Sequence, residues 1–311
     1  MAAQKRVRKK RKKWPWVLGI FLAIILAIGA YIYHLYSSIE KSMEQANISY
    51  KTEKREKPAS ITETDSVSFL LLGVDQRTKD PDSGVTGRSD TIIVMTANPK
   101  TNEMKMVSIP RDTYTEIEGR GLDKINHAYA FGKIPLATAA VENLMGIPID
   151  YVVSINMEGL IRLVDVVGGI TVNNDLEFSS GGYNFNKGTI TLDGKAALAY
   201  SRMRKEDPQG DFGRQNRQRQ VITAITEELI SPKTLLNFNE LLDVLGNNVQ
   251  TNVTFDDVKK LQSSYLKAFR NMEQLSFTQG QGQIINKIWY YIMNESELSE
   301  IQNVLKTNLE L

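Results

Sequence analysis

Carboxylates set among arginines at short spacing are the residue types that hold a divalent cation against a phosphate, and two stretches of this sequence carry them. The first contains Asp75, Arg88, Asp90, Arg111 and Asp112. The second contains Arg202, Arg204, Asp211, Arg214, Arg217 and Gln218. On a helix Arg214, Arg217 and Gln218 fall at i, i+3 and i+4, and so share a face. Arginine presents a planar fork that matches phosphate oxygens two at a time. An Arg/Gln face is more often simply solvated, but here it lies in a part of the chain that is net acidic. There is no cysteine, which excludes disulfides, zinc ribbons and thiol catalysis, and makes any metal site oxygen-liganded. His127 reads first as a local hydrogen-bonding partner of Asn126, with assistance to catalysis as the alternative.

The elements around these residues decide whether they meet. Residues 67–74 (VSFLLLGV) form a continuous apolar run, the pattern of a buried central strand, and end in Asp75. Residues 91–97 (TIIVMTA) predict a second strand beginning at Asp90. Turn formers at 98–102 then lead into a third strand over 104–109, ending at Pro110. A hairpin of the second and third strands brings Asp75, Arg88, Asp90, Arg111 and Asp112 to one edge of the sheet. Downstream, helices are expected at 123–131, 135–145, 157–167, 194–203 and 212–229. Strands are expected at 150–155, 170–172 and 272–278, with a Gly-rich loop over 179–188. Interleaved strands and helices give an α/β fold, a mixed central sheet covered by helices on both faces.

The N-terminus sets the context. Residues 1–13 carry eight Lys and Arg and no acidic residue. Residues 14–36 (WPWVLGIFLAIILAIGAYIYHLY) contain no Asp, Glu, Lys or Arg and match the ~20 apolar residues that cross a bilayer core. Their length and the bulky residues that follow favour an uncleaved signal-anchor over a cleaved leader. The basic flank then stays cytoplasmic and the rest of the chain faces outward, a single-pass type II arrangement. Residues 37–65 read as a polar stalk, partly helical or disordered, and residues 66–311 as the extracellular domain. Subtracting the eight N-terminal charges from the chain total of +2 leaves −6, so no nucleic-acid footprint is evident.

The stretches LLLGVD (70–75), GRSDT (87–91), SIPRDT (108–113), KINHAYAFG (124–132) and ALAYSRMRKEDPQGDFGRQNRQRQ (197–220) resemble the motifs of the LytR-CpsA-Psr family. The resemblance implies a phosphotransferase of the outer membrane face. It would move an anionic glycopolymer, wall teichoic acid first among candidates, from undecaprenyl pyrophosphate to the 6-hydroxyl of peptidoglycan N-acetylmuramic acid. It also implies Mg²⁺, or Mn²⁺ in its place, on Asp75 and Asp90. Arg88, Arg111, Arg202, Arg204, Arg214, Arg217 and Gln218 would hold the pyrophosphate, and Asp90, Arg88 and Arg111 would be catalytic, with Asp90 also orienting or deprotonating the acceptor. Apolar walls for the prenyl chain are expected from 136–145, 151–155 and 160–167. Two other readings stay open at this point: a non-catalytic regulator that binds the lipid pyrophosphate, and a pyrophosphatase using water at the same site.

Overall fold

The computed structural model describes residues 37–79, 86–229 and 238–311, apart from 39, 43, 53, 56–58 and 63. The chain divides into two compact units, Met1–Lys41 and Ser42–Leu311. In the first, the described residues 37, 38, 40 and 41 are helical. The expected anchor at 14–36 lies outside the described residues, among which no helix is long and apolar enough to cross a membrane.

The second unit is built on β1 (Val67–Lys79), β2 (Thr86–Asn98) and β3 (Glu103–Ser108). A hairpin, β4 (Tyr114–Ile117) and β5 (Gly121–Lys124), leads into helix α1 (Ile125–Met145), then β6 (Tyr151–Asn156) and α2 (Met157–Val166). A small layer follows: β7 (Ile170–Asn174), β8 (Phe178–Ser180), β9 (Tyr183–Phe185) and β10 (Gly188–Leu192). Then come α3 (Gly194–Arg202), α4 (Asp211–Leu229), α5 (Phe238–Asn248), β11 (Val249–Thr251), α6 (Phe255–Lys260) and α7 (Leu266–Arg270). The chain closes with β12 (Met272–Ser276), β13 (Gln281–Ile285), β14 (Ile288–Ile292) and α8 (Glu295–Leu309).

The central sheet has the order β11-β6-β1-β2-β3-β12. It is mixed: β1 runs parallel to β6 and β12 parallel to β3, while β1-β2, β2-β3 and β6-β11 are antiparallel. Burial on both faces explains the unbroken apolar run in β1. Leu70, Leu72 and Val74 pack in one cluster with α1 and α8 residues such as Val141 and Leu305. Val67 and Phe69 pack on the opposite face with Met104, Tyr151 and Tyr265. A third cluster joins α2, α3, α4 and the small layer through Val164, Phe178, Tyr200 and Val221.

Three expectations are corrected. Within the expected stalk, described residues from 42 onward attach to the folded unit: Ile61 is fully buried, Ile48 N–H donates to Thr251 O at 2.8 Å, and Arg55 Nε pairs with Asp150 Oδ1 at 3.1 Å. The few apolar residues of this polar segment, Ala46, Ile48, Tyr50 and Ile61, pack on the core beside these specific polar partners, which composition cannot reveal. Asp123 belongs to β5 rather than a helix, and one helix, kinked at Gly132 and Lys133, spans the two that were expected. The Gly-rich loop is a hairpin, β8-β9.

Candidate active site

The first cluster is assembled by an irregularity in the β1-β2 ladder. Gly73 opposes Thr91, but the next pair is Val74 with Ser89, followed by Asp75 with Arg88. Asp90 is therefore the extra residue of a bulge in β2, a feature that re-aims a side chain at the end of a sheet. From the other side of the hairpin, Arg111 follows β3 through a turn closed by Thr113 N–H donating to Pro110 O at 3.0 Å. The start of α1 fixes that turn, because Asn126 N–H donates to Arg111 O at 3.2 Å and Ile125 N–H to Thr113 O at 2.9 Å. Amides that the helix leaves unpaired at its first turn thus hold the catalytic candidate in place.

Arg111 Nη1 donates to Asp90 Oδ1 at 2.8 Å, and its Nε lies 3.5 Å from Asp112 Oδ2. Burial alone would lower the Arg111 pKa, but the Asp90 and Asp112 charges more than offset it and raise it. Asp112 is the mirror case. Burial pushes its carboxyl up, and Lys124 at 2.8 Å, with Arg111 and Arg214, holds it below the ordinary value. Both groups are ionised at neutral pH.

The second cluster reaches the cleft from α3 and α4. Asp193 caps α3 by accepting from Ala196 N–H at 2.7 Å, and Gly194 lies so close to α2 that a Cβ would run into the Ile161 carbonyl oxygen. This close packing places Arg202, in the last turn of α3, where its Nη2 donates to Asp75 Oδ2 at 3.3 Å. On α4, Arg214 and Gln218 line the cleft. Arg214 is buried and ion-paired with Asp211, its Nη2 2.6 Å from Oδ1, yet among the described residues its Nε has no hydrogen-bond partner. Burial, with Arg111 and Arg204 nearby, depresses its pKa against the pull of Asp211, though a guanidinium stays protonated. A buried, crowded cation short of an acceptor is built to receive an anion.

Arg217 departs from the expectation. It does not line the cleft: its Nη1 pairs with Asp207 Oδ2 at 2.5 Å, and its Nε and Nη2 donate to the carbonyls of Tyr200 and Met203 at 3.2 and 2.6 Å. At 100° per residue, positions 217 and 218 point in different directions although both are near neighbours of 214. Arg217 therefore clasps the loop that carries Arg204, rather than presenting its own donors.

The cleft measures about 520 Å³ and is lined by both polar and apolar side chains. Arg111, Arg202, Arg204, Arg214 and Gln218 are among the polar lining residues, and Ile155, Met157, Leu160 and Leu198 among the apolar ones. Of the expected prenyl-chain walls, only Ile155 and Leu160 lie here; the 136–145 stretch packs in the main core instead. A smaller cavity of about 180 Å³ shares Asp90 and Arg111 with the cleft and adds Arg88, Asp112 and Lys124. Sequence reasoning missed Lys124, although it opens the KINHAYAFG stretch, and also Lys205, Ser179 and Ser180 of the cleft lining. The two serines sit in a hairpin with no sequence signature.

Among the described residues no group of three or more His, Cys, Asp or Glu could cage a metal ion. What the site offers is two carboxylates, Asp75 and Asp90, on neighbouring strands beside phosphate-type donors. That set fits Mg²⁺, which commonly takes one or two carboxylates and completes its shell with water and substrate phosphate.

Residues 31–307 match the LytR_cpsA_psr family. TagU of Bacillus subtilis (strain 168), a polyisoprenyl-teichoic acid–peptidoglycan teichoic acid transferase by name, is 47% identical over 307 residues, which is 98% of each chain. Its crystal structure aligns with a TM-score of 0.63 over 80% of this chain and 98% of that one. The structure of TagT bound to LIIa-WTA aligns with a TM-score of 0.69 at 31% identity, over 84% of this chain and 97% of that one.

Proposed function

The chain belongs to the LytR_cpsA_psr family, and on that premise we propose that it is a phosphotransferase moving a teichoic acid from a polyisoprenyl pyrophosphate carrier to peptidoglycan. The observation that carries this reading is the composition of the cleft, whose lining combines four arginines with apolar side chains. A lipid pyrophosphate has the same combination, a charged head on a greasy chain. Arg111, Arg202, Arg204 and Arg214 bind and neutralise the pyrophosphate, whose charge grows as the carrier leaves as its monophosphate. Asp90 and Asp112 keep Arg111 aimed at the reacting phosphorus. Arg88, opposite Asp75 in the ladder, is assigned to the same phosphate from the smaller cavity. Asp75 and Asp90 are the residues that would hold Mg²⁺, or Mn²⁺, which when bound supplies further neutralisation of phosphoryl oxygens.

The acceptor in this reading is the 6-hydroxyl of N-acetylmuramic acid and the carrier is undecaprenyl pyrophosphate. Residues 14–36 anchor the protein in the cytoplasmic membrane with the catalytic unit outside, where lipid-linked polymer and wall meet. The deciding experiment gives the purified full-length protein lipid-linked polymer, peptidoglycan oligomers and Mg²⁺, and analyses the products. A new glycan phosphodiester is expected. Free phosphorylated polymer alone would instead identify a pyrophosphatase, and binding without turnover a regulator.

A further inference from the structure

The smaller cavity contains features the phosphate chemistry does not use. Asn126 is nine-tenths buried and lines it, and among the described residues its Oδ1 has no hydrogen-bond partner. His127 lines the same cavity, with Nδ1 2.8 Å from Asp123 Oδ2 and an edge contact to Phe131. An orphaned acceptor beside an oriented imidazole, in a space well beyond one water molecule's need, is a place for a hydroxylated ligand.

We propose that this cavity receives the acceptor sugar of the transfer reaction and that His127, held by Asp123, takes the proton of the attacking hydroxyl; the inference rests on the transferase reading above. The carboxylate of Asp123 fixes the tautomer. Burial raises its pKa, but His127 and the Lys124 amide and charge reverse this to a net lowering, so Asp123 is ionised and accepts the Nδ1 proton. Nε2 is then left with its lone pair. The step balances. The acceptor O–H bond breaks as its proton passes to Nε2, the oxygen forms a bond to the polymer-linked phosphorus, and the P–O bond to the carrier phosphate breaks. The carrier leaves as its monophosphate, the imidazolium is stabilised by Asp123, and it returns its proton to water. Asn126 Oδ1 accepts from a second sugar hydroxyl and fixes the ring. Asp90 is poorly placed for the proton, because its carboxylate is already bonded to Arg111 at 2.8 Å.

Charged groups face His127 from three parts of the fold. Asp123 and Lys124 come from β5, Arg88 and Asp90 from β2, and Arg111 and Asp112 from the turn after β3. Single-turnover transfer by the full-length protein, with lipid-linked polymer and a defined peptidoglycan oligomer, should lose rate on the acid side as His127 protonates. His127→Gln should lower the rate ~10²- to 10⁴-fold and abolish that acid limb, while affinity for the lipid-linked polymer stays within about twofold. Asp123→Asn should also lower the rate, because Nδ1 loses the acceptor that leaves the Nε2 lone pair free, with affinity for the lipid-linked polymer again unchanged, and this decides the matter if the His127 variant melts early. A His127→Gln rate within about threefold of wild type, or a lower rate with the acid limb unchanged, overturns the inference and leaves the transferase reading standing. Absence of transfer by the wild-type protein overturns both.

Discussion

Each arginine at this site does a job that its neighbours define. Arg214 holds one carboxylate, Asp211, and retains a donor without a partner among the described residues, so its value lies in the fork rather than the charge alone. Arg214→Lys should therefore cut the transfer rate ~10²-fold, as loss of an aimed donor does, with little change in melting temperature. Lys124 offers a test by pH. The Asp112 carboxyl is held below its ordinary value, so the folded state releases that proton more readily than the unfolded chain. The resulting stability is complete above about pH 4 and is lost as pH falls through the lowered folded value. Lys124→Met should lower the melting temperature at pH 7 and flatten its fall below pH 4, read from melts across that range. The meeting of Asp90 with Arg111 was legible in the sequence, because strand direction alone puts both at one edge. The diversion of Arg217 was not, since helical spacing does not say which of two near neighbours a loop carboxylate will claim.

At the level of elements, what could be read was what burial dictates. The β1 run, the β2-β3 hairpin, α2 with its Gly168-Gly169 stop, α3 and α4 all stand close to their expected bounds. The short hairpins β4-β5 and β13-β14 were not legible, because strands of four or five mixed residues carry no clear period, and β4-β5 supplies Lys124 and Asp123 to the site. The bulge at Asp90 was likewise hidden, since it exists only in the pairing of two strands. Packing of α3 on α2 is the joint that places Arg202. Gly194→Ala should force those helices apart at a cost of ~1–3 kcal/mol, and should weaken lipid-pyrophosphate binding as well as lowering the melting temperature. Unchanged binding in a destabilised protein would show that Arg202 is placed some other way.

Across the whole molecule, the folded unit is larger at its N-terminal end than composition suggests. Glu142 accepts from Thr52 Oγ1 at 2.5 Å and Ile149 N–H at 2.7 Å, and buried Asp150 pairs with Arg55. A protein beginning at Ser66 would take the Thr52 donor from Glu142 and the Arg55 cation from buried Asp150, and would empty the site that Ile61 fills. It should lose ~3–5 kcal/mol relative to one beginning at Ser42, measured by denaturant melts. The same strap has a consequence for the order of events in folding. Ile48 waits for Thr251, the Asp65 carbonyl for the Tyr265 hydroxyl, and Ser66 Oγ for the Leu309 carbonyl at 2.6 Å, 243 residues away. Among the first residues of the unit to leave the ribosome are ones whose partners are made last. Closure of these contacts therefore follows completion of the chain.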